Sequence, residues 1–156
     1  MDKEARSLDV KTIFHPKFWL TLFVVMHTFL FAIWYILGPF MATDADMTTY
    51  LEEDVGLSNE LATNSVIRDA FLEDGFFLGI MAMSIVPPFL ATAWLLEGRA
   101  QALMTVVCGG TLLFMTTLAT YGDIVIAGKD FSADFIMGFA IAGATLYSGY
   151  IRLEDE

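Results

Sequence analysis

His27 is the ionisable side chain that falls deepest inside an apolar stretch of this sequence. It sits nine residues after Phe18 and fourteen before Met41, in a run without Asp, Glu, Lys or Arg. A neutral imidazole carries one lone pair and one N–H, which opens two chemistries. The lone pair suits haem iron or the magnesium of a chlorophyll-type pigment as an axial ligand. The N–H and lone pair also suit a hydrogen bond to a nearby hydroxyl or carbonyl, the ordinary fate of a polar group between packed helices. The second use is the favoured one here. His15 lies twelve residues earlier. That is about 18 Å along a helix, so the two histidines of one chain cannot share a metal.

Carboxylates offer the next chemistry. Asp44-x-Asp46 opens like an EF-hand loop, but Thr48, Thr49 and Val55 stand where a ligand, a glycine and a glutamate are needed. A looser calcium site from Asp44, Asp46, Glu52, Glu53 and Asp54 is a weak candidate, and a solvated acidic face is the simpler account. Such a face also steers basic soluble partners, for instance a small electron carrier. Asp123 and Asp134, with Lys129, are candidates for a charged mouth through which a proton or cation enters. They are equally ordinary interfacial charges.

Pro87-Pro88 is a candidate break. Each proline lacks an N–H and crowds the carbonyl four residues back, which releases the carbonyls of Met83 and Ser84. Breaks of this kind line sites in transporters, and they also occur as plain kinks. The single cysteine, Cys108, reads as a small buried apolar residue, and one cysteine makes neither a disulfide nor a thiolate zinc cluster. Met81 and Met83 have no nearby His or Cys with which to hold copper. HExxH, GxSxG, P-loop, GxGxxG and CxxC patterns are absent from the sequence.

The elements that must position these residues are dictated by hydropathy. Of 156 residues, 56% are hydrophobic and 17% charged, with a mean hydropathy of +0.62. A soluble domain of this size has no core large enough to hide that surface. The sequence therefore predicts an all-α integral membrane four-helix bundle. It has a tail at 1–17, spans at 18–41, 75–96 (kinked at Pro87-Pro88), 100–122 and 133–151, an acidic outer loop at 42–74, and a tail at 152–156. Each run approaches the roughly 20 residues that a helix needs to cross about 30 Å of hydrocarbon. The first run is too long for a signal-peptide core, and Ala42-Thr43-Asp44-Ala45 is a poor cleavage site, so it reads as an anchor.

Basic residues set the orientation. Lys3, Arg6, Lys11, Lys17, Arg99 and Arg152 fall on one side of four alternating spans, and only Arg68 and Lys129 on the other. The positive-inside rule puts both termini in the cytoplasm. Trp19, Trp94, Tyr147 and Tyr150 then form an inner aromatic belt, with Trp34, Tyr35 and Tyr121 on the outer one. Nearly all of the net charge of −11 follows the outer side, where twelve acids face two bases. That balance excludes nucleic acid as a partner.

Within the outer loop, Thr49 and Glu52 have capping-box spacing. Ser58 is a candidate cap, and Val66, Ile67, Ala70 and Phe71 recur at helical spacing, so one or two short amphipathic helices are expected. Small residues mark helix contacts: Gly75 and Gly79, Gly109 and Gly110, then Gly138, Ala142 and Ala144. Taken together, these features imply a non-catalytic accessory subunit of a larger, bioenergetic membrane complex. Its partners are other transmembrane subunits, bound lipid and a basic soluble protein on the outer face. A haem- or pigment-carrying subunit built on His27 and a small oligomeric channel or transporter are the alternatives. A membrane enzyme ranks last, because the spans hold no buried carboxylate pair, lysine or arginine.

Overall fold

The computed structural model describes residues 10–126, 128 and 130–153, without the side chain of Asp134. Lys129, most of the N-terminal tail and the last three residues lie outside the described residues. Every regular element among the described residues is helical: α1 (Val10–Ile13), α2 (Pro16–His27), α3 (Ile33–Met41), α4 (Asp44–Glu53), α5 (Asn59–Ala62), α6 (Ser65–Met83), α7 (Val86–Trp94), α8 (Gly98–Tyr121) and α9 (Ala133–Tyr150). Two π-helical turns, Thr28–Ala32 and Gly122–Ile126, follow α2 and α8.

Three helical stretches are long and apolar enough to cross a membrane: Val10–Met41, Ser65–Trp94 and Gly98–Ile126. The apolar helix Phe135–Tyr150 is shorter. The architecture is that of a helical membrane protein. Large apolar side chains stand open along these helices; Phe29, Phe114 and Met81 are 60–70% exposed. Water disfavours such a surface, and hydrocarbon or another apolar helix accommodates it.

The described residues cluster into two compact units, one comprising Val25–Pro87 and the other the remainder. In the Val25–Pro87 unit α3 packs along α6, with α4 and α5 beside them. The acidic segment at 42–74 is more helical than its polar composition suggests. α6 begins at Ser65, so Arg68, Asp69, Glu73 and Asp74 ride on the same helix as the apolar residues after Gly75. The Asn64 side chain accepts from the Val66 N–H and starts it.

The capping box is at Thr43 and Asp46 rather than at Thr49 and Glu52. The Asp46 N–H donates to Thr43 Oγ1 (3.2 Å), and the Thr43 N–H donates to Asp46 Oδ2 (2.9 Å). An N3 aspartate reaches back as a glutamate does, and both orphan donors are satisfied. α4 ends where Gly56, at φ +79°, turns the chain so that Leu57 N–H donates to Leu51 O (2.9 Å). Leu51 and Ala62 are fully buried beneath this segment.

The other unit is built on the α8–α9 seam. A Cβ on Gly109 would stand 2.8 Å from that of Leu146 and nearer still to its backbone. A Cβ on Gly149 would stand 2.7 Å from the Ala102 carbonyl and 2.8 Å from the Val106 nitrogen. Backbone meets backbone here, which only glycine permits. Gly138 approaches Thr116 Cγ2 (3.1 Å), Gly110 makes an ordinary contact with Leu146, and Ala142 is buried. Ala144 is half-buried on the same helix.

At one end of this unit the aromatic and basic residues gather. Trp19 Nε1 donates to Ile13 O (3.2 Å), and Trp94 Nε1 donates to Thr21 Oγ1 (3.2 Å). Phe14 meets Tyr147 edge-on (4.9 Å), Lys17 Nζ lies over Trp94 (5.5 Å), and Arg152 donates to Lys11 O (2.6 Å).

Candidate functional site

In the Val25–Pro87 unit the deep histidine meets the broken helix. α6 stops at Met83 and regular geometry resumes at Val86, just before Pro87 and Pro88. Ser84 N–H still donates to Ile80 O and Met81 O (both 3.1 Å), while Ile85 N–H reaches Ala82 O only at 3.5 Å. The Ala82 carbonyl is thus left weakly served at the break. His27 Nε2 lies 3.0 Å from it, across 55 residues of sequence. A carbonyl only accepts, so Nε2 carries the proton and donates. A carbonyl released within an apolar helix is re-satisfied by neighbouring helices, side chains or water, and here the imidazole does so.

That bond decides what His27 offers chemically. With Nε2 protonated and directed at Ala82, that nitrogen presents no lone pair to iron or magnesium. Axial ligation through Nε2 therefore competes directly with the repair of the helix. The histidine is also the first member of an aromatic file on one helix face: its ring lies 5.6 Å from Phe31, and Phe31 lies 4.8 Å from Tyr35. The π-helical turn begins at the residue after His27. A π-turn inserts one extra residue into the helical register, and such turns concentrate at functional positions.

Tyr35 and Ile36 close against the small residues of α6. A Cβ on Gly79 would stand 2.8 Å from Ile36 Cγ1 and 3.0 Å from the Ile36 nitrogen, whereas one on Gly75 would make ordinary contact with Tyr35 Cδ1 (3.5 Å). Beyond Gly75 the helices leave a cavity of about 460 Å³, formed by α3, α4 and α6.

The acidic candidates do not converge. No group of three or more His, Cys, Asp or Glu among the described residues is placed to hold an ion. Asp44 pairs with Arg68 (3.3 Å), Asp46 is occupied by the cap, and Glu52 accepts from Asn59 Nδ2 (2.5 Å). The Thr43 hydroxyl and backbone N–H beside Asp46 hold its carboxyl below the usual carboxylate range. Glu53 and Asp54 are exposed. Asp123 sits in the second π-helical turn, and Asp134 is the second residue of α9.

Two residues that matter were not singled out from the sequence. Gln101 is buried, and its Nε2 donates to Thr92 O (3.1 Å) and Ala93 O (2.9 Å). It thereby serves the unpaired carbonyls at the end of α7 across the tight turn at Gly98 (φ +55°). An amide a few residues into a helix, directly after a three-residue connection, is the signal that marks it. Gly149 is the other. It stands outside the Gly138–Ala142 spacing, and only the facing backbone reveals its part. Around Gln101 run further bonds to main chain: Thr105 to Gln101 O (2.7 Å) and Thr92 to Pro88 O (2.8 Å). Cys108 Sγ lies 3.9 Å from Thr92 Oγ1. The buried Thr145 hydroxyl has no partner.

No protein-family model, curated protein or solved structure matches the chain.

Proposed function

We propose that this chain is a four-span membrane protein with both termini on the cytoplasmic side, and a non-catalytic accessory subunit of a larger, bioenergetic membrane complex. One observation carries the reading: polar side chains within the apolar helices are directed at main-chain carbonyls. His27 of α2 serves Ala82 of α6, and Gln101 of α8 serves Thr92 and Ala93 of α7, while Thr92 and Thr105 serve the carbonyls four residues back in their own helices. The two bonds between helices hold those helices in place, as scaffolds require.

The topology rests on the six basic residues on one side and on the gathering of Trp19, Lys17, Trp94, Tyr147 and Arg152 at one end of their unit. Alternating spans bring those positions to one surface only when the 18-residue α9 also crosses. A helix of that length suffices, at about 1.5 Å per residue, with slight local thinning of the bilayer. The opposite surface carries the acidic segment, which docks a basic soluble partner.

Extraction in a mild detergent followed by identification of co-purifying chains tests the proposal. Reproducible recovery of other transmembrane subunits in fixed ratio is the expected result. Isolation as a lone monomer overturns it. Labelling of cysteines introduced at Ser7 and Ser58 tests the topology, with only Ser58→Cys expected to react from outside.

A further inference from the structure

The cavity between α3, α4 and α6 has the make-up of a ligand site. Its volume of about 460 Å³ falls within the range typical of small-molecule pockets. Trp34, Tyr35, Tyr50 and Phe71 are four aromatic lining residues, Met47 adds a polarisable side chain, and Asp74 is the charged lining residue. No lysine, arginine or histidine lines it. Aromatic faces attract cations through their quadrupole, most strongly when the cation is partly desolvated. A carboxylate beside them adds direct Coulomb attraction.

We propose that this cavity binds an amphiphilic organic ammonium cation, with the ammonium among the rings beside Asp74 and the apolar body along the α3–α6 groove. The acidic outer segment favours the same sign of ligand by raising its local concentration. A zwitterionic lipid headgroup fits less well, because its phosphate would lie next to Asp74 without a basic side chain to meet it. The ligand is therefore a free cation rather than a bilayer lipid. The site lies wholly within the Val25–Pro87 unit and does not depend on the chain being a subunit of anything.

Equilibrium dialysis of the intact protein in a neutral maltoside detergent tests this, with octyltrimethylammonium as the probe and octanesulfonate as its anionic counterpart. Saturable binding of the ammonium alone is expected. Asp74→Asn and Tyr50→Ala should each weaken it about tenfold, and Met47→Trp, which fills the cavity, should abolish it. Glu73→Gln, on the same helix outside the cavity wall, should leave it unchanged. Each variant is first checked for unaltered helix content and elution. Equal binding of octanesulfonate, or an Asp74→Asn affinity equal to that of the parent, overturns the proposal. Displacement of the probe by dispersed short-chain phosphatidylcholine as effectively as by unlabelled probe overturns the choice of a free cation.

Discussion

Where α8 meets α9, an added Cβ at Gly109 or Gly149 runs into the opposing main chain. Where α3 meets α6, an added Cβ at Gly75 touches only a tyrosine ring, and one at Gly79 meets a side-chain methylene as well as a backbone nitrogen. Each seam uses glycine, but to different ends. The α8–α9 seam is closed by backbone contact at Gly109 and Gly149, with buried Thr105 beside Gly149. The α3–α6 seam is tight at Gly79, opens into a cavity past Gly75, and lies on a helix whose ladder is broken and repaired by a histidine. The first arrangement gives a fixed pair. The second gives a space that a ligand can enter without moving main chain.

Substitution should separate the two seams. Gly149→Ala and Gly109→Ala are expected to cost the most, about 2–3 kcal/mol each, because backbone cannot yield as a rotamer can. Gly79→Ala should cost about 1–2 kcal/mol, since Ile36 has a rotamer to give but its nitrogen does not. Gly75→Ala should be close to neutral. Reversible unfolding in mixed detergent micelles gives the ranking. A Gly75→Ala penalty as large as that of Gly149→Ala would erase the distinction.

Gln101→Leu comes next. It keeps the volume and removes two hydrogen bonds from the end of α7, leaving buried carbonyls unserved, at a cost of about 1–3 kcal/mol. The same measurement reads it. Gln101→Glu should be at least as harmful, because a carboxylate repels the carbonyls that the amide serves.

His27→Phe should cost less, about 0.5–1.5 kcal/mol, the range found for hydrogen bonds between membrane helices. A double-mutant cycle isolates the term. In a Pro87→Ala/Pro88→Ala background the α6–α7 ladder can close, and Val86 N–H can serve Ala82. The His27→Phe penalty should then shrink toward zero. An undiminished penalty would mean that the imidazole is held for another reason, and an absorption spectrum of the purified protein would then be the measurement to make.

The three long apolar helices were legible because exclusion of charge from hydrocarbon leaves a plain trace. The ends of the helices were not. Hydropathy marks where apolar side chains begin, whereas a helix continues for as long as its backbone is satisfied. α6 therefore starts at Ser65, ten residues before the apolar run at Gly75. The cap of α4 is hidden for a related reason: Glu52 fits the usual spacing, but Asp46 completes the same bond pattern with Thr43. The π-turn after His27 and the closeness of Gly149 to Ala102 leave no local signature. Each depends on what stands opposite, which one strand of sequence does not state.

The smallest effect expected belongs to the acidic segment that includes α4, which ties the cavity wall to charge. Asp46 accepts from the Thr43 hydroxyl and N–H, and those bonds hold its carboxyl below the ordinary range. A carboxylate whose folded value is depressed stabilises the fold fully above its unfolded value of about 3.9, and that stabilisation is lost as pH falls through the folded value. α4 should therefore loosen only in acid, and Thr43→Ala should weaken the acid dependence along with the cap, because it removes the hydroxyl bond to Asp46 and keeps the backbone N–H bond. Hydrogen exchange of the first turn of α4 between neutral pH and the acid limb reads this directly. The Gly149 contact, made of main chain and without titratable partners in its wall, should show no such change over the same range. If α9 loosened in parallel with α4, the two regions would be responding as one, and the contrast between a fixed seam and an adaptable one would fail.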